Sequence, residues 1–235
     1  REKLEELEHF DLRREETERR FAQLVERLET LCGELSKIRR ETAQTLTERM
    51  REGLSDLNFL NVEFTMEFRR LSHYTAGGFD EAEFLISTNP GEPPRPLGAV
   101  ASGGELSRIM LAIKAVLAET DDIPTLIFDE IDTGISGRTA QMVSEKLSLI
   151  AGSHQVICIT HLPQIAAMAD SHYEIRKTAK ENRTVTQIKR LSEDQMTDEL
   201  ARLLGGAEIT EAVRQNAREM RALAAEKKRL NRQTP

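Results

Sequence analysis

Two acidic residues, Asp129 and Glu130, stand side by side directly after the apolar run Thr125-Leu-Ile-Phe. A short apolar run that ends abruptly in carboxylates reads as a strand of a parallel sheet, and open α/β sheets collect their ligands at the carboxyl ends of such strands. Paired acids there can divide a task. Asp129 can hold Mg²⁺, directly or through water, while Glu130 orients and deprotonates an attacking water. A second run, Val156-Ile-Cys-Ile-Thr, ends in His161, whose ring can donate to a phosphate oxygen. Upstream, Ala101-Ser-Gly-Gly-Glu-Leu-Ser-Arg opens a segment in which Leu106, Ile109, Met110, Ile113, Val116 and Leu117 recur at helical steps. Ser102 and Glu105 have the spacing of a capping box, and Gly103 and Gly104 leave room for a bulky anion near the free N–H groups of the first turn. Singly, these are a helix cap, surface acids and a core histidine. In this order they point to nucleotide chemistry.

The elements that must position these residues follow from periodicity. The strand 125–128, a helix over 139–150 with Met142, Val143, Leu147 and Ile150 inward, and the strand 156–160 make a β-α-β crossover, hence a parallel sheet. Residues 1–57 read as one long helix. Phe21, Leu24, Leu28, Leu31, Leu35 and Ile38 alternate steps of three and four, the seam of a coiled coil, extending back through Thr17 and Arg14 to Phe10 and Leu7 and forward through Thr42 and Thr45. The polar seam positions Arg14 and Thr17 weaken it locally and suggest a bend. Val62, Phe64, Met66 and Phe68 alternate as a half-buried strand, and a second strand over 82–87 pairs with it across Gly77-Gly78. Residues 89–98, with four prolines, read as an ordered loop. Beyond His161 come a short helix over 165–168, a hairpin over 173–190 with Val185 and Ile188 on one face, and closing helices over 196–204 and 211–228. The hairpin carries Arg176, Lys177, Lys180, Arg183, Lys189 and Arg190 against Glu174 and Glu181. That is the composition of a solvated edge, with phosphate contact as the second reading.

Composition narrows the function. The 235 residues are 31% charged and 39% hydrophobic, with 4% aromatics and no Trp, which favours long helices. A net charge of −7 excludes a uniformly basic nucleic-acid binder, so any DNA contact must be local. The two cysteines, Cys32 and Cys158, form no disulfide framework, and a reducing compartment fits. No signal peptide or membrane-length apolar run is present, so a soluble protein without a membrane partner is expected. The chain begins at Arg1 inside a helix and is expected to be part of a longer protein.

The order of these motifs resembles the C-terminal lobe of the ATP-binding-cassette ATPases: signature Ser-Gly-Gly-Glu, Walker B strand with Asp-Glu, D-loop, switch histidine. Within that superfamily, Asn89-Pro-Gly-Glu-Pro, the stretch from Ala101 to Lys114, Phe128-Asp-Glu-Ile-Asp-Thr-Gly-Ile-Ser-Gly-Arg and Ile159-Thr-His-Leu-Pro-Gln-Ile-Ala look like the RecN family of bacterial DNA repair proteins. These are relatives of the structural-maintenance-of-chromosomes ATPases. The resemblance implies an α/β ATPase head lobe over 58–235 with a parallel-sheet core, preceded by the returning helix of a coiled-coil arm over 1–57. It implies ATP and Mg²⁺ held between two engaged heads of a homodimer acting on broken DNA ends, in the cytoplasm on the nucleoid. By the family's pattern Asp129 assists Mg²⁺, Glu130 is the general base and His161 contacts the γ-phosphate. Ser102, Gly103, Gly104 and Glu105 face the nucleotide of the opposing head, and Asp132, Thr133 and Gly134 form the D-loop linking the two sites. Another chromosome-maintenance head is the nearest alternative. A transporter fits less well, because Glu105 stands where many transporters carry Gln. A non-catalytic DNA-end tether would not require the acids and the histidine together.

No Gly-x-x-x-x-Gly-Lys-Ser/Thr phosphate loop occurs in the sequence. The resemblance implies that the lysine and backbone cradle for the β- and γ-phosphates lie in an N-terminal Walker A lobe of the same protein, before the coiled-coil arm. The expected outcome for this chain alone is neither hydrolysis of ATP nor its binding at micromolar concentration. Calorimetric titration checks this, and tight stoichiometric binding would mean that the site has been misplaced.

Overall fold

In the computed structural model, which describes residues 2–99, 103–118, 122–180, 183–206 and 208–231, the chain opens with a single helix, α1 (Glu2–Asp56). At 1.5 Å per residue it extends about 80 Å. It runs unbroken past Arg14 and Thr17, where Arg14 pairs with Glu18 at 3.2 Å and the Thr17 hydroxyl donates to the Arg13 carbonyl at 2.7 Å. The apolar seam is open to solvent: Phe21 is 68% exposed, Leu24 52% and Ile38 59%. A different stripe of the same helix is buried, namely Cys32, Ser36, Ala43, Thr47, Met50 and Leu54, with Leu57 just beyond its end.

That stripe lies on a hairpin, β1 (Glu63–Thr75) and β2 (Gly78–Ser87), paired antiparallel from Glu63↔Ser87 to Arg70↔Asp80 with a register shift before Thr75↔Gly78. Gly78 turns the chain at φ +94°, with Leu35 and Cys32 of α1 beside it. The hairpin is bound to the helix by Asp80, which accepts from Ser36 Oγ at 2.9 Å and lies 3.6 Å from Arg39. Nearer the tip, Arg70 and Tyr74 both donate to Glu29, and these hydrogen bonds lower the Glu29 pKa and raise that of Tyr74. The proline-rich stretch is more than a loop. Arg95–Pro96 form a short edge strand, β3, on β2, where proline's missing N–H costs nothing, and a 3₁₀ turn follows at Leu97–Ala99.

Next come α2 (Gly103–Leu117), β4 (Thr125–Phe128), α3 (Gly137–Ile150) and β5 (Gln155–Cys158). β4 and β5 pair in parallel, Thr125↔Gln155 through Phe128↔Cys158, as the crossover requires. The main core joins Met50 and Leu54 of α1, and Leu57 after it, to Phe64, Ile86, Ile109, Leu126, Phe128, Val143 and Ile150. After α4 (Pro163–Ala167) stands a hairpin of β6 (Tyr173–Lys180) and β7 (Arg183–Arg190), antiparallel with Ile175↔Ile188 and Thr178↔Val185. Val185 and Ile188 are three residues apart in a regular strand, so they lie on opposite faces, correcting the expectation that they share one. The chain closes with α5 (Glu193–Gly205) and α6 (Glu211–Asn231), which share a small core of Ala166, Leu200, Ala201, Ala217 and Ala224. α5 starts earlier than its apolar spacing indicates because Ser192 and Gln195 form a reciprocal capping box. Among the described residues no helix is long and apolar enough to cross a membrane.

The two stripes of α1 should respond differently to truncation. Leu54→Ala, at a fully buried position, is expected to cost about 2–5 kcal/mol, whereas Leu28→Ala on the open seam should change stability by less than about 0.5 kcal/mol. Urea unfolding of the two variants checks this, and equal losses would overturn it.

Candidate functional site

Phe128 is buried, and the chain leaves the sheet immediately after it, so Asp129 and Glu130 emerge exposed at the strand end. Asp129 Oδ1 accepts the Glu130 N–H at 3.0 Å. Glu130 itself has φ +57°, a left-handed conformation uncommon outside glycine, and the Thr133 N–H closes a turn on the Glu130 carbonyl at 3.0 Å. Gly134 follows at φ +75°. The acids thus stand on a sharply folded loop, 129–134.

Asp132 fixes that loop to the second strand. It is only 4% exposed and gathers three donors. Its Oδ2 accepts Thr160 Oγ1 at 2.6 Å and the His161 N–H at 2.8 Å, and lies 3.0 Å from His161 Nδ1. The His161 side chain is itself 73% exposed. With Nδ1 held by Asp132, Nε2 is the ring nitrogen left to face a ligand. Cys158, at the end of β5, is no nucleophile: burial, then the charges of Asp132 and Asp129, push its thiol up to about 12.

The first turns of α2 lie against the same loop. Ser107 Oγ donates to the Asp129 carbonyl at 2.9 Å, and Arg108 Nη1 donates to the Thr133 carbonyl at 2.9 Å. Arg108 is 8% exposed, and burial lowers its pKa. A Cβ on Gly104 would come within 2.9 Å of Thr133 Cβ, 3.0 Å of the Glu130 carbonyl and 3.1 Å of the Thr133 carbonyl. A Cβ on Gly103 would lie 2.7 Å from Glu130 Oε2. Gly104 therefore has a packing reason within this chain, separate from any anion, whereas a Cβ on Gly103 meets only the end of the Glu130 side chain.

The structure thus brings together Gly103, Gly104, Asp129, Glu130, Asp132, Thr133, Gly134 and His161. Glu105 lies in the first turn of α2, and Ser102 falls outside the described residues. Among the described residues no three His, Cys, Asp or Glu side chains form a metal cage. Asp129 alone suits Mg²⁺, which takes one or two carboxylates and completes its shell with phosphate and water. Sequence reasoning missed Ser107 and Arg108. The helical period gives Arg108 no place on the apolar face, and its partners are carbonyls, which leave no mark in a sequence.

The chain is 40% identical over 227 residues to the DNA repair protein RecN of Halalkalibacterium halodurans, covering 95% of this chain and 40% of that protein. It is 41% identical over 204 residues to RecN of Bacillus subtilis, covering 80% and 35% of the two chains, and 43% identical over 190 residues to RecN of Vibrio cholerae, covering 80% and 34%. It therefore spans about two fifths or less of the length of these curated relatives. No protein-family model matches it. Among solved structures, an Smc head domain with a coiled coil and joint from Pyrococcus yayanosii aligns over 68% of this chain and 29% of that one, at 19% identity and a TM-score of 0.49.

The unequal surroundings of the two glycines give a testable difference. Gly104→Ala meets backbone and a β-branched side chain, and should cost about 1–3 kcal/mol. Gly103→Ala meets only the end of the Glu130 side chain, which can move, and should cost less than about 1 kcal/mol. Denaturant unfolding of both measures this, and the reverse order would overturn the packing account.

Proposed function

This chain is RecN-like over 95% of its length, and from that premise we propose that it is the C-terminal part of an ATPase of DNA double-strand-break repair, its ATP sites formed between two engaged heads. One observation carries the reading: Asp132 ties the ends of the two parallel strands together, so that Asp129, Glu130 and His161 share one edge of the sheet. In this reading Asp129 holds Mg²⁺ and Glu130 is the general base for the attacking water. His161 donates from Nε2 to a γ-phosphate oxygen. Its Nδ1 faces the Asp132 carboxylate at 3.0 Å, which leaves Nε2 outward. Ser102, Gly103 and Gly104 serve the opposing head's nucleotide, and Thr133 and Gly134 line the approach between the two sites.

The phosphate loop comes from an N-terminal lobe. Supporting this is the state of the β4–β5 sheet. Leu126 and Phe128 are buried on one face, while the paired Ile127 and Ile157 on the other are 69% and 45% exposed. Parallel sheets are ordinarily covered on both faces, so this apolar side suits the missing lobe. The exposed seam of α1 likewise suits the outgoing strand of a coiled-coil arm. Broken DNA as the substrate and the nucleoid as its location rest on the likeness to RecN, described as a DNA repair protein.

In the full-length protein, Glu130→Gln should still bind ATP but hydrolyse it about 10²–10⁴-fold more slowly. Asp129→Asn should instead weaken the Mg²⁺-dependent part of binding. Steady-state turnover and nucleotide binding with and without Mg²⁺ separate the two, and near-normal turnover by Glu130→Gln would remove the base from its role.

A further inference from the structure

We propose that Arg108 is a positioning residue for hydrolysis, setting the loop that carries Glu130 and Asp132 from its place in α2; the inference rests on the ATPase reading above. Its guanidinium reaches the carbonyls on both sides of Asp132. Nη1 lies 2.9 Å from the Thr133 oxygen and 3.5 Å from the Ile131 oxygen. Those carbonyls bracket the residue that grips Thr160 and His161. On its other side the guanidinium stands 5.6 Å from the centre of the Phe59 ring, just beyond the end of α1. Arg108 therefore lies between the base of the long helix and the catalytic loop, one and a half turns from the start of α2.

Packing alone does not account for an arginine here. It is 8% exposed, its Nε is buried without a hydrogen-bond partner, and its Nη1 donates to backbone carbonyls. An apolar side chain of similar length would fill the space without desolvating a charge, leaving the two carbonyls without this donor. What methionine cannot do is hold two carbonyl oxygens from one planar group. The loop it holds has a non-glycine residue in left-handed conformation at Glu130, so its shape depends on outside contacts. Ser107 and Gly104 supply two of them, and Arg108 is the one that reaches both sides of Asp132.

The test compares Arg108→Met, Arg108→Lys and Glu130→Gln in the full-length protein, measuring kcat, KM for ATP and the thermal midpoint. Arg108→Met should lower kcat about 10–10²-fold, the range for a misplaced catalytic group, with KM changed by less than about twofold and the midpoint lowered by no more than about 4 °C. Arg108→Lys, whose shorter side chain keeps a charged donor for these carbonyls without the guanidinium plane, should recover part of kcat. Normal kcat in Arg108→Met overturns the inference. So does a loss that tracks a falling midpoint in both Arg108 variants, since that marks a residue serving only the fold. An inactive Glu130→Gln beside a normal Arg108→Met sinks this inference alone, whereas normal turnover in Glu130→Gln sinks the ATPase reading beneath it.

Discussion

One buried carboxylate holds the site together. Asp132 is taken out of water on a loop that would otherwise be free to refold; it accepts from a hydroxyl and a backbone amide of one short segment after β5, and the ring Nδ1 of that segment's histidine lies 3.0 Å away. A buried carboxylate is costly unless it is satisfied by such donors, so its partners are held as firmly as it is. The consequence is geometric. Two strand ends paired only as far as Phe128↔Cys158 are joined beyond the sheet, and an exposed histidine is presented with a defined nitrogen outward.

Around that carboxylate the loop is packed from α2, and the packing explains residue types that anion binding alone leaves open. Gly104 is needed because helix and loop approach too closely for a Cβ, whatever binds at the helix start. Gly103 borders the Glu130 carboxylate, so a residue of the signature segment and the proposed base are neighbours within one chain. Movement of the first turn of α2 must therefore be felt at Glu130 through direct contact. α2 is in turn packed against α1, where Gly53 lies beside Ala112 and Val116. A continuous train of contacts thus runs from the long helix to the acids.

The long helix serves two environments at once. Its latter half is set into the main core by Met50 and Leu54 and clamped along the β1–β2 hairpin by Ser36, Arg39 and Glu29. Its seam, some 100° around the helix from that stripe, stays in water. The uncovered faces of α1 and of the β4–β5 sheet are of the same kind: apolar, regular and lacking a second layer. Both are the surfaces on which the rest of a larger protein would build.

Much of this was determined by the sequence itself. The helical seam, the β-α-β crossover, the acids at a strand end and the histidine after the next strand are all local, period-bound signals, set by which residues alternate and where the run of apolar residues stops. The absence of a phosphate loop was equally plain, since that motif is contiguous. Only the tertiary structure decided the rest. The buried stripe of α1 is interleaved with the seam and shows as a face only once the hairpin lies on it. The edge strand at Arg95–Pro96 exists because β2 offers it hydrogen bonds. The role of Asp132 depends on Thr160 and His161, almost thirty residues away. Arg108 acts on carbonyl oxygens, and every residue has one of those. Local pattern can state which face of an element is apolar, but the partners of a buried polar group are fixed by the distance between elements.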